Sequence, residues 1–214
     1  MQTTLAAETR FDERLLTLSS QMDGFEGYAH AHGLRVAEIA DNIALRFNLA
    51  PRDCHLLQQA SLLHDIGEVA MNRGYIRERR ELTIEERLDL ERHPVIGEQE
   101  AARLGLARGV QLLIRWHQEW WNGSGYPDKL GGEQIPFAAR IIRVADSFSA
   151  LTDDRPRRRA MTEAEAKQYM TEWAGIEFDP VILKAFFSLN YVIEKPSDNR
   201  QHQIESNNQG EAAA

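Results

Sequence analysis

The sequence predicts an all-α fold, and three observations carry the prediction. Apolar residues recur at three- and four-residue spacing in one segment after another, the period of a helix buried along one face. No stretch shows the two-residue alternation of a half-buried strand. Between the periodic segments stand proline, glycine and capping residues of the kind that start and stop helices.

The elements follow in order. Residues 1–21 are polar and mildly helical and are expected to form a lead-in helix to a domain spanning 22–190. From Met22 to about Leu49, Val36, Ile39, Ala40, Ile43 and Phe47 share one helical face. Pro51-Arg52-Asp53 breaks that pattern and places an acid at the start of the next helix. Its stripe, Leu56, Leu57, Ala60 and Leu63, is expected to run to near Gly67. After a looser polar stretch, Thr83-Ile84-Glu85-Glu86 opens another helix with a capping box, in which Thr83 and Glu86 satisfy each other's backbone N–H groups. Pro94 suits the first turn of a further helix, where its missing N–H costs nothing. Val110, Leu113, Ile114 and His117 share a face in the helix after it. Residues 122–136 hold Gly123, Gly125, Gly131 and Gly132 with Pro127 and Pro136, and are expected to be a long loop. Helical spacing returns at Ile141, Ile142, Ala145, Phe148 and Leu151. One or two more helices are expected in 161–189, interrupted around Gly175 and Pro180. Residues 191–214 are polar and are expected to be a disordered tail.

Composition narrows the function. At 214 residues the chain is one domain by the usual scale of about 100–200 residues each. Twenty-five Lys and Arg against 33 Asp and Glu leave a net charge of −8, which opposes polymeric nucleic acid as a partner. The single cysteine, Cys54, excludes an intramolecular disulfide and a cysteine-based zinc site. No apolar run approaches the roughly 18 residues of a membrane span. The first residues, with Glu8, Arg10, Asp12 and Glu13, lack the apolar centre of a signal peptide. A cytoplasmic protein without a membrane partner is the expectation.

Six side chains stand on, or at the ends of, apolar stripes where solvated groups do not belong: His32, His64, Asp65, His93, His117 and Asp146. One inward histidine is most often a satisfied core residue. Six such groups converging from several helices fit a metal site in a helical bundle, because inward carboxylates are costly unless paired or metal-bound. Imidazole mixed with carboxylate suits Fe, Mn, Co, Ni or Zn without choosing among them. Neighbours on a straight helix point about 100° apart, so His64 and Asp65 can serve one centre only at a helix end. Gly67 is expected to release the backbone there. His30, on another face, is expected to be exposed, and Arg77, Arg79 and Arg80 to be solvated. Trp116, Trp120 and Trp121 are expected to pack against the helix end and the loop.

The motifs, taken together, resemble the HD-superfamily phosphohydrolases and more narrowly the HD-GYP domain. They run in that family's order: His32-Gly-Leu-Arg35-Val36, Leu62-Leu63-His64-Asp65-Ile66-Gly67, His93-Pro94-Val-Ile-Gly97, His117-Gln118-Glu119 and Asn122-Gly123-Ser124-Gly125-Tyr126-Pro127. Ala139-Arg140-Ile141, Val144-Ala145-Asp146-Ser-Phe148, Asp154-Arg155-Pro156 and Phe178-Asp179-Pro180 follow. The resemblance implies an HD-domain helical bundle holding one or two divalent transition-metal ions. It implies hydrolysis of a nucleotide phosphodiester, cyclic di-GMP or a related nucleotide, by a metal-bound hydroxide. His32, His64, Asp65 and Asp146 would hold a first ion. Asp65, the residue central to the chemistry, would bridge to a second held by His93 and His117. Arg155 and Arg158 would bind phosphate, and Tyr126 would touch substrate, with the GYP loop also open to a signalling protein.

The chain departs from the family at several positions. Gln118 replaces a second histidine and would offer a metal only a neutral oxygen. Tyr28 stands where three-metal members carry a glutamate. Glu68 replaces a lysine and, as an anion, would repel phosphate. Ser149 replaces an aspartate, Asn122 another, and Arg157 a tyrosine. Two alternatives stay open beside the enzyme: a degenerate domain that binds a cyclic dinucleotide or protein without turnover, and a hydrolase of another phosphate ester.

Overall fold

The computed structural model describes residues 12–28, 30–78, 80–154 and 159–189. Among them run α1 (Glu13–Glu26), α2 (His32–Arg46), α3 (Pro51–Leu62), α4 (Ile66–Met71), α5 (Ile84–Leu90), α6 (His93–Arg103), α7 (Arg108–Trp116), α8 (Phe137–Leu151), α9 (Glu163–Glu172) and α10 (Pro180–Phe187). No β-strand occurs among the described residues, only two isolated bridges, Asn122 with Gly131 and Ala174 with Phe178. The all-α expectation holds. The expected tail, 191–214, and residues 1–11 lie outside the described residues.

Local chemistry sets most helix ends. Thr83 and Glu86 form the expected capping box, with Glu86 N donating to Thr83 Oγ1 at 3.2 Å and Thr83 N to Glu86 Oε2 at 2.9 Å. Thr162 and Glu165 repeat it at α9. Pro51 and Pro180 open α3 and α10, and Asp179 caps the latter by accepting from Val181 N at 2.8 Å.

α2 packs on both α3 and α8, α4 on α6, and α6 on α7. Val36, Ile39 and Ile43 of α2, Leu57 of α3, Ile114 of α7 and Ile141, Ile142 and Phe148 of α8 are sealed from solvent in one core. Each such side chain stabilises the fold by about 1.5–3 kcal/mol relative to exposure.

Two boundaries differ from expectation. The helix expected from Met22 is divided: α1 continues to Glu26 and stops where Gly27 takes a left-handed φ of 79°, so α2 begins only at His32. α1 belongs to the core rather than leading into it, since Leu15 and Met22 are buried in it. The third helix ends at Leu62, not near Gly67; Leu63, His64 and Asp65 form a turn, and Gly67 sits inside α4. Gly67 does not release the backbone. It lets α4 lie against α6, because a Cβ there would fall 2.0 Å from His93 O and 2.8 Å from Gly97 N.

Candidate metal centre

The six predicted groups meet in the interior, all buried. His32 opens α2, His64 and Asp65 occupy the α3–α4 turn, His93 opens α6, His117 follows α7, and Asp146 lies on α8. They fall into two groups, His32 with His64 and Asp146, and Asp65 with His93 and His117; within each, one ligand atom per residue lies within 4.8 Å of the others.

Asp65 joins the groups. Its Oδ2 lies 3.1 Å from His64 Nε2, while its Oδ1 lies 3.2 Å from His93 Nε2 and 3.3 Å from His117 Nε2. The turn at the end of α3 resolves the geometric problem of adjacent His and Asp. Asp146 Oδ1 closes the first group, 3.3 Å from His32 Nε2 and 3.7 Å from His64 Nε2.

Three histidines are oriented by their own helices. Nδ1 of His64 donates to Ser61 O at 2.8 Å, that of His93 to Leu90 O at 2.8 Å, and that of His117 to Ile114 O at 2.7 Å. A carbonyl only accepts, so the proton sits on Nδ1 and the Nε2 lone pair faces the centre. The Nε2 atoms of His93 and His117 are then two lone pairs 3.2 Å apart, an arrangement that a shared cation relieves. His32 Nε2, His64 Nε2 and Asp65 Oδ1 are buried with no hydrogen-bond partner among the described residues. Uncompensated buried polar atoms of this kind fit metal ligation.

The electrostatics agree. Burial alone would raise both acids. The charge of His64, with the imidazoles of His117 and His93 beside it, instead holds Asp65 well below the usual carboxylate range. The neighbouring imidazoles of His32 and His64 do the same for Asp146. Burial pulls the His64 imidazole down, but Asp65 and Asp146 push it well above its ordinary value. His117 is drawn down by burial.

The departures surround this centre. Tyr28 stacks on His32, ring centroids 4.0 Å apart and planes within 5°. Half-buried Glu68 is pushed up to about 8 by burial and by the Asp65 charge, so it keeps its proton at neutral pH and the repulsion expected of an anion is relieved. The Gln118 oxygen expected to face a metal accepts instead from Arg143 Nη1. Tyr126 sets its ring edge-on to His93, centroids 6.0 Å apart. The loop 122–136 carrying it is irregular as expected apart from a 3-10 turn at Gly132–Gln134, and buried Glu119 organises it by accepting from Asp128 N at 2.7 Å and Leu130 N at 3.0 Å. Arg155 and Arg158 lie outside the described residues.

The bland readings hold for the bystanders. His30 is half-exposed and pairs with Asp153 at 2.7 Å. Trp116 Nε1 donates to Asp128 at 2.7 Å, and Trp120 packs edge-on against Trp173. Arg77 lies over Phe25, Arg80 pairs with Glu86, and Arg79 lies outside the described residues. Sequence reasoning missed Arg143 and Glu177 as neighbours of the centre. A charged residue interrupting the apolar run Ala139-Arg140-Ile141-Ile142-Arg143-Val144 was the available signal.

The chain matches the HD domain family over residues 12–182 and belongs to it. The HD-GYP resemblance read from its motifs agrees with its relatives. It is 35% identical over 176 residues to the cyclic di-GMP phosphodiesterase response regulator RpfG of Xanthomonas campestris, covering 81% of this chain and 46% of that one. It is 27% identical to the 3'3'-cGAMP-specific phosphodiesterase 2 of Vibrio cholerae, covering 80% and 33%. The chain thus spans less than half the length of these relatives. A crystal structure of a cyclic GMP-AMP specific phosphodiesterase from Vibrio cholerae shares the fold, with a TM-score of 0.69 at 22% identity, over 90% of this chain and 52% of that one. No helix among the described residues is long and apolar enough to cross a membrane.

Proposed function

We propose that this chain is a metal-dependent phosphohydrolase that cleaves a phosphodiester bond of a cyclic dinucleotide, cyclic di-GMP or a close relative. The observation that carries this reading is Asp65, whose two oxygens face two different histidine groups. Similarity to phosphodiesterases of cyclic di-GMP and 3'3'-cGAMP supports the substrate class.

His32, His64, Asp65 and Asp146 would hold one divalent transition metal, and Asp65, His93 and His117 a second. Such ions supply acidified water and neutralise phosphate charge when bound. Asp65 keeps the two groups in register, and the backbone carbonyls behind His64, His93 and His117 hold their imidazoles in the ligating tautomer. In the reaction water adds across one P–O bond: its oxygen joins phosphorus and its proton goes to the departing sugar oxygen. Tyr126 would border the substrate, and Arg155 with Arg158 would orient phosphate. The chain would act in the bacterial cytoplasm in signal transduction, with the GYP loop a surface for a signalling protein.

A second reading is favoured by Gln118, whose oxygen Arg143 engages: a domain that binds cyclic dinucleotide without turnover. The deciding measurement is metal content per chain, paired with cyclic di-GMP turnover in added Mn or Fe. Two metals with turnover, abolished by Asp65→Ala and kept or raised by Glu68→Lys, support the enzyme. Saturable binding without turnover in any variant supports the binder. Cleavage of a chromogenic phosphate ester without cyclic di-GMP cleavage assigns another phosphate ester.

A further inference from the structure

A guanidinium lies at the wall of the centre. Arg143 projects from α8 one turn before Asp146, with its side chain only 14% exposed. Its Nη1 stands 3.8 Å from Asp146 Oδ2, the oxygen opposite the one that faces His32 and His64. Arg143 Nε and Nη2 both donate to Glu177 Oε1, at 3.0 and 2.5 Å, and Nη1 donates to the Oε1 of Gln118, the residue after His117. Ser147 Oγ donates to the same Glu177 oxygen at 3.2 Å. The arginine therefore reaches from the first histidine group to the flank of the second.

A guanidinium has five N–H groups. Three are used by Glu177 and Gln118. Two remain, one on each terminal nitrogen, and Asp146 Oδ2 stands 3.8 Å from Nη1, an ion pair beyond hydrogen-bond reach. As a simple staple between α8 and the α10 entry, a buried Arg–Glu pair contributes little more than a packed apolar pair would. As a fixed pair of charged donors it does something an apolar pair cannot: it presents a planar fork suited to phosphate oxygens, already oriented before an anion arrives.

We propose that Arg143, held by Glu177 and Gln118, is a substrate-binding residue that receives a non-bridging phosphate oxygen at the Asp146 edge of the centre. The inference rests on the phosphohydrolase reading for its substrate, a phosphodiester, but its test reads anion binding separately from turnover.

The test uses the full chain loaded with Mn. Binding of inorganic phosphate is followed by calorimetry, metal per chain by elemental analysis, and kcat and KM with bis(p-nitrophenyl) phosphate. Arg143→Lys keeps the charge and loses the fork. The double variant Arg143→Met, Glu177→Met removes both charges together and avoids stranding a buried carboxylate. Both should bind phosphate about tenfold more weakly or worse, the scale of a hydrogen bond to a charged group. KM should rise more than kcat falls, and metal per chain should stay at the wild-type value. Wild-type phosphate affinity in either metal-loaded variant overturns the inference. Loss of phosphate binding only in proportion to lost metal also overturns it, leaving Arg143 a structural staple. Should the wild type bind no phosphate, the inference falls as well. Arg143-dependent phosphate binding in a wild type that cleaves no diester upholds the inference and removes the phosphohydrolase reading.

Discussion

His32 Nδ1 lies 3.0 Å from the hydroxyl oxygen of Ser149, a contact from the first residue of α2 to the last turn of α8. It sets His32 apart from the other three histidines. Their Nδ1 atoms face carbonyl oxygens that only accept, whereas a serine hydroxyl can accept or donate and so holds the ligating tautomer less firmly.

Ser149→Ala should therefore weaken metal binding about tenfold, the lower end for loss of a partner behind a ligating histidine. Ser149→Asp should strengthen it, because a carboxylate accepts firmly and raises imidazole basicity. Mn titration of metal-free protein measures both. Equal affinities in all three proteins would show that Ser149 does not orient His32.

Gly67 keeps α4 and α6 together, and a methyl group there meets backbone rather than a side chain that can swing away. Gly67→Ala should destabilise the fold by about 1–3 kcal/mol, as overpacking does. It should also lower metal content, since α4 follows Asp65 and α6 opens with His93. Gly74→Ala is the control, with nothing within 4 Å of the added atom. Urea unfolding of both variants gives the comparison, and matching midpoints would remove the close-approach argument.

Glu68 makes stability depend on pH. Burial, with the Asp65 charge, raises its pKa from 4.5 to about 8, so the folded chain binds a proton that the unfolded chain releases. Stability from this group is complete below the unfolded value of 4.5 and is lost as pH rises through about 8. Glu68→Gln, neutral throughout, should gain stability relative to the wild type as metal-free protein is taken from about pH 5 to about pH 8. Parallel unfolding midpoints for the two proteins across that range would contradict the assignment.

Glu119 satisfies two amides of the loop that carries Tyr126. Glu119→Ala leaves both without their acceptor, at a cost of about 1–3 kcal/mol for each group that stays buried. Hydrogen exchange at Asp128 and Leu130 should accelerate strongly while amides in α2 and α8 keep their protection. Unchanged exchange at these two positions would mean that the loop is held by other contacts.

The amino-acid sequence by itself determined what depends on neighbours along the chain. The capping boxes at Thr83 and Thr162, the apolar stripes of α2 and α8, the irregular loop and the types of residue drawn inward are properties of a few consecutive turns. The six inward groups were legible for that reason: a histidine or aspartate on an apolar stripe conflicts with its own helix, and the conflict is visible locally. How those groups divide was implied by the family resemblance and not by any helical period, and the tertiary structure supplies the physical reason. Asp65 faces His64 on one side and His93 with His117 on the other because the chain turns at Leu63 and α4 lies close against α6. The role of Gly67 changed for the same reason, since its constraint is the backbone at His93 and Gly97. Ser149 behind His32, and Arg143 between Glu177 and Gln118, join residues far apart in sequence. No period or cap encodes such pairs; they arise when separate helices pack and a buried donor or charge must find its partner across the interface.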